Sequence, residues 1–173
     1  MNRLTPLLAA ATLAFTGCAP GGLLAGDRAF RDGCTPGLLA EAERRASPAG
    51  AKILAQARSM AVDHHEIVLG ACWDYLDAAW DRAGYPPARR RTIFKSRLHG
   101  PYAADAALQP GDWIYFVNHS YGDVEHSGIF VAWADRGRRE AYLFSYAGEH
   151  RAEPARYKLY ELNGVFRVVR AGA

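Results

Sequence analysis

Gln109-Pro110-Gly111-Asp112-Trp113-Ile114-Tyr115-Phe116-Val117, and beyond a polar loop His126-Ser127-Gly128-Ile129-Phe130-Val131-Ala132-Trp133, are the stretches on which the fold turns. Pro-Gly-Asp is turn chemistry, with proline fixing one dihedral, glycine free to take positive φ and the aspartate side chain able to cap nearby N–H groups. Trp113–Val117 is a short, fully apolar run of aromatic and β-branched residues, which predicts a strand launched from that turn. Asn118–Glu125 is polar and reads as a loop. His126–Trp133 predicts a second strand, with His126 at its mouth and Gly128 marking a place where another segment comes close. Ala134–Glu140 is a charged hairpin loop, and Ala141–Tyr146 returns as a third strand. Tyr157–Tyr160 and Val165–Val169 supply two more.

Upstream of the strands the pattern changes to helical spacing. Thr35-Pro36 and Ser47-Pro48 each place a capping hydroxyl before a proline at the first helical position, predicting short helices to about Arg45 and about Met60. In Gly70–Gly84, Cys72, Leu76, Ala79, Trp80 and Ala83 form one apolar stripe, Asp74, Asp77 and Asp81 lie off it, and Gly84 supplies the stop. Cys72 is thereby expected in the first turn, where unpaired N–H groups and the positive end of the helix dipole favour a thiolate. The plainer reading makes Cys72 a small buried hydrophobe. His64 and His65 are adjacent, point apart on any regular element and have no further ligand at metal-binding spacing, so neither metal nor cofactor is expected.

A cysteine opening a helix, then an antiparallel sheet with histidine on an early strand and a polar residue on the next, resembles the NlpC-type papain-like cysteine peptidases of bacterial cell walls and the related CHAP amidases. The matching text is Cys72–Gly84 for the nucleophile helix, Leu108–Phe116 for the "PGD" strand and His126–Val131 for the "HxGI" strand, within residues 49 to 170 or so. The resemblance implies an α+β papain-like domain, with N-terminal helices packed on a small antiparallel sheet. It also implies that His126 draws the proton from Cys72, whose thiolate attacks an amide carbonyl to form a thioester that water releases. The residue orienting the imidazole falls by strand position on Ser145, where the family usually has His, Asn or Gln. His150 is the alternative, followed by Asn118 and His119, while Asp112 reads as a structural cap. Ala71 and Trp73 flank Cys72 where cell-wall endopeptidases commonly carry Asp and Ser, so substrate recognition here differs from theirs.

The first residues point to export. One basic residue, Arg3, precedes an uncharged apolar run from Leu4 to Phe15, which is a signal-peptide layout too short to span a bilayer. Leu13-Ala14-Phe15-Thr16-Gly17-Cys18 resembles the bacterial lipobox, implying lipidation of Cys18 and, with Ala19 next, the periplasmic face of the outer membrane. The expected organisation is a signal peptide over 1–17, a lipid-anchored tether with a short helix over 18–48 and a hydrolase domain over 49–173. Cys34 and Cys72 then either pair as a disulfide in that oxidising compartment or leave one working thiol. Half of the 173 residues are apolar and only 23% charged, so a core is available. A net charge of +3 is too small to favour nucleic acid, and the one dense basic run, Arg89-Arg90-Arg91, reads as a solvated connector. The expected function is that of a monomeric cysteine amidohydrolase or endopeptidase acting on peptidoglycan stem peptides. The alternatives are an acyltransferase using the same thiolate, or a pseudoenzyme that keeps the fold as a non-catalytic envelope-binding lipoprotein.

Overall fold

Capping chemistry starts the helices where the sequence places them. In the computed structural model, which describes residues 33–172, Thr35 accepts the Leu38 N–H at 3.2 Å and opens α1 (Pro36–Arg45). Ser47 accepts the Gly50 N–H at 3.1 Å and opens α2 (Pro48–Arg58), which runs on into a π turn over Ser59–Asp63. The short helix expected within 18–48 is α1, and it is part of the folded body: Leu39, Ala42 and the preceding Cys34 are buried in the core. The signal-peptide segment and Cys18 lie outside the described residues. Among the described residues no helix is long and apolar enough to cross a membrane.

Six antiparallel strands form one sheet: β1 (Arg90–Lys95), β2 (Trp113–Asn118), β3 (Val124–Asp135), β4 (Glu140–Ser145), β5 (Arg156–Glu161) and β6 (Val165–Ala171), in the order β1-β6-β2-β3-β4-β5. With the helices on one face, the molecule is an α+β fold of helices packed on a small antiparallel sheet. Strands β2 to β6 lie where the apolar runs predicted them. β1 falls where the sequence predicts only a connector: it is an edge strand bonded only to β6, with most of its side chains exposed, so it carries no alternating pattern.

Alternation along the strands divides the core in two. Trp113, Ile129, Val131, Phe144 and Val169 meet Ile53, Leu54, Leu76 and Trp80 on the helix side. Ile114, Phe116, Phe130, Leu143, Tyr160 and Val168 pack on the opposite face with Ala103 and Leu108 from the β1–β2 connection.

Two contacts lock the helices to the sheet. A Cβ on Gly111, which has φ +94°, would lie 2.4 Å from the Gly50 Cα, so the Pro-Gly-Asp turn and the first turn of α2 touch backbone to backbone. Asp112 accepts the Gln109 N–H at 2.8 Å and two Arg170 N–H groups at 2.7 Å each, which makes it the structural cap expected of it. The basic run is also partly structural, contrary to the expectation of a solvated connector. Arg90 is only 10% exposed, bridges Asp77 and Asp81 of α3 (Asp74–Arg82) at 2.5 Å each and lies over the rings of Trp80 and Trp113.

Candidate active site

The Cys72 turn is built by its neighbours. α3 begins at Asp74, so Cys72 sits in the turn just ahead of the helix rather than inside its first turn. Asp74 accepts the Ala71 N–H at 2.5 Å, fixing the approach to the helix. The chain after β4 closes over this turn. The His150 N–H donates to the Gly70 carbonyl at 3.0 Å, and a Cβ on Gly148, with φ +79°, would lie 2.8 Å from the Cys72 nitrogen. Both described cysteines are free: Cys34 is buried and Cys72 half-buried, so this structure holds no disulfide between them. Burial pushes the Cys34 thiol up to about 12, which makes it inert as a nucleophile near neutral pH.

Strand alternation decides what faces Cys72. Ser127 points to the helix side, is fully buried, and its hydroxyl donates to Cys72 Sγ at 3.7 Å. His126 points to the other face, where its ring packs edge-on to Phe116 at 5.6 Å between centroids. There its Nε2 meets the Tyr160 hydroxyl at 3.3 Å, and the same hydroxyl meets Ser145 Oγ at 3.0 Å. Ser145, expected to orient the imidazole directly, is thus joined to it through Tyr160. A Cβ on Gly128 would lie 3.0 Å from Leu143 Cδ1 and 3.2 Å from the Phe144 carbonyl oxygen, which is the close approach expected at that glycine.

His126 and Cys72 nevertheless share a cleft. The pairing of β3 with β4 ends at Ile129 and Phe144, so the first residues of β3 are bonded on the β2 side while the chain beyond Ser145 crosses to the Cys72 turn. The opening so formed is a cleft of about 420 Å³, lined by Ala71, Cys72, Ala147, Gly148 and Glu149 from the helix side and by His126, Arg156, Lys158 and Tyr160 from the sheet. Asn118, Ser120 and Tyr121 edge it. His119, the remaining candidate, is held by Asp123 at 2.6 Å and lies against Gly164. His150 is exposed and fixed beside the Cys72 turn by its backbone.

Burial, with Arg156 and Lys158 acting in the same direction, lowers the proton affinity of His126 to a pKa of about 4. At neutral pH the imidazole is uncharged. It is able to accept a proton, but a standing imidazolium–thiolate pair is disfavoured. Among the described residues no group of His, Cys, Asp and Glu is arranged to hold a metal ion. Ser127 and Tyr160 are the site residues that sequence reasoning missed. Alternation signals the first, since of two consecutive strand residues one must face the helices; the second sits on a distant strand and carries no local signal.

No described protein family matches the chain, and no curated protein matches it. Among solved structures it is similar to the wild-type endolysin LysIME-EF1, at 16% identity with a TM-score of 0.41. That likeness covers 70% of this chain and 63% of the endolysin chain, so it spans less than two thirds of the latter's length.

Proposed function

We propose that the protein is a cysteine amidohydrolase or endopeptidase acting on peptidoglycan stem peptides, with Cys72 as nucleophile and His126 as general base and acid. The observation that carries this reading is the placing of a half-buried thiol and a neutral imidazole on the walls of one open cleft, at the mouth of the strand where the cell-wall peptidases carry their histidine. In the reaction, His126 takes the thiol proton, Sγ adds to the amide carbonyl, and the same proton is delivered to the departing amine. Water, deprotonated by His126, then releases the acyl group as a carboxylic acid and restores the thiol. The mechanism requires the ring to reach the sulfur when substrate fills the cleft, as catalytic hydrogen bonds often tighten only in the complex. Tyr160 and Ser145 position the ring, and Ser127 positions the sulfur. Capture of the thioester by an amine or alcohol instead of water would give acyl transfer by the same residues.

One observation favours a second reading, a non-catalytic envelope-binding protein. Ser127 and not His126 contacts the sulfur, and the imidazole is occupied by Tyr160. Incubating the protein with purified muropeptides and analysing them by liquid chromatography and mass spectrometry separates the readings. Hydrolysis yields two fragments with one water added between them, and transfer yields a larger conjugate. Intact muropeptides together with co-sedimentation on whole sacculi would establish the binder. Anchoring through a lipid on Cys18, at the periplasmic face of the outer membrane, belongs to the same proposal. It predicts that Cys18→Ala moves the exported protein from the membrane fraction to the soluble periplasm.

A further inference from the structure

β5 places Arg156, Lys158 and Tyr160 on one side of the strand, and register sets them opposite Ser145, Leu143 and Ala141 of β4. All three line the cleft beside His126. The two cations are incompletely matched there. Lys158 holds its Nζ 5.6 Å from the centre of the Tyr160 ring, and among the described residues no carboxylate forms an ion pair with it. Arg156 gives one N–H to Glu153 at 3.1 Å, yet its Nε is buried with no acceptor. The acids at the same cleft lie elsewhere: Glu149 is taken up by Arg151 at 3.1 Å, and Glu125 is exposed at the rim.

We propose that Arg156 and Lys158 form a carboxylate-binding subsite at the sheet end of the cleft, so that the ligand lying across to Cys72 is a peptide with a free carboxylate. The inference rests on the cleft being the substrate site and adds the chemical class that it selects. A guanidinium presents parallel N–H groups to the two oxygens of a carboxylate, and the ammonium adds a point charge that tolerates several poses. Arg156 and Lys158 also help to hold His126 neutral. A bound carboxylate counters their field, so the imidazole becomes easier to protonate when the right ligand is present.

The test uses the Cys72→Ala protein, which cannot turn ligand over, at pH 7. Its probes are N-acetyl-L-alanyl-L-alanine, the same dipeptide with its carboxylate capped as an amide, and inorganic phosphate. Binding is read from ¹⁵N backbone and histidine-ring NMR shifts. The free acid should bind about tenfold or more tightly than the amide, in line with the loss of one charge-assisted hydrogen bond, and should move the His126 ring resonances. Adding Lys158→Gln should narrow that gap, and Arg156→Gln with Lys158→Gln should abolish it. Should the double variant fail to fold, the acid-against-amide comparison and the single Lys158→Gln protein carry the test. Equal affinity for acid and amide, tighter binding of phosphate than of the free acid, or an undiminished preference in the folded variants would overturn the subsite. Because turnover plays no part, an intact carboxylate preference beside uncleaved muropeptides would sink the hydrolase and leave the subsite standing. Cleavage without the preference would do the reverse.

Discussion

Cys72 and Cys34 differ by burial and by neighbour, and their chemistry should differ accordingly. Iodoacetamide at pH 7.5 should label Cys72 in the native protein and reach Cys34 only after unfolding, as peptide mapping would read, since Cys34 is 4% exposed and its thiol is raised to about 12. Ser127→Ala removes the hydroxyl donated to Cys72 Sγ. With one hydrogen bond of roughly 0.5–1.5 kcal/mol gone, alkylation of Cys72 should slow by about two- to tenfold while the fold persists. His126 predicts a pH effect of definite sign. Its pKa falls from 6.5 to about 4 on folding, so the unfolded chain binds the extra proton first and stability declines as pH drops through that interval. Denaturant titrations at pH 7 and pH 4.5 should differ by about 2 kcal/mol through this group, and His126→Gln should remove that part of the difference. The sequence singles out Cys72 and His126, though it puts Cys72 inside the first turn of the helix and the structure puts it in the turn just ahead of Asp74; His126 lies near the start of β3, as its strand pattern predicts. What was not legible is which face of β3 turns to the helices, because both faces of this sheet are buried and the apolar pattern is the same on each.

At the scale of elements, the close approach of the Pro-Gly-Asp turn to α2 is the joint that sets the helix layer on the sheet. Gly111→Ala would force a side chain against the Gly50 backbone at a residue with φ +94°. Overpacking and left-handed strain together should lower stability by about 2 kcal/mol or more, measurable as a lower denaturation midpoint with unchanged slope. The turn itself was readable from Pro110-Gly111-Asp112, but the partner at Gly50 was not, since nothing local in α2 announces a contact with a segment so distant in the chain. β1 shows the same limit from the other side. Arg90-Arg91-Thr92-Ile93-Phe94-Lys95 is an edge strand whose charge hides its pairing, and Arg90 is drawn under α3 by Asp77 and Asp81, carboxylates that alone read as a solvated helix face. Helix starts were legible because Thr35-Pro36 and Ser47-Pro48 encode their caps within four residues.

For the whole molecule, the end of a two-sided sheet, left open where β4 departs, brings a thiol from the helix layer and an imidazole from the opposite core into one cleft. In the proposed reaction each layer supplies one of the two groups. In the proposed mechanism the chain of hydroxyls from Ser145 through Tyr160 to His126 orients the ring, with Ser145, the expected orienting residue, acting through Tyr160 of the cationic strand β5. The measurement that tests this most directly is the initial rate of muropeptide cleavage by the wild type, Cys72→Ala and His126→Gln proteins, each shown to be folded by its thermal melt. The account predicts cleavage by the wild type, none with Cys72→Ala, and a loss of about 10²-fold or more with His126→Gln, the contribution of general acid–base catalysis. Wild-type protein that leaves every muropeptide intact, or a folded His126→Gln variant that cleaves at the wild-type rate, would contradict it.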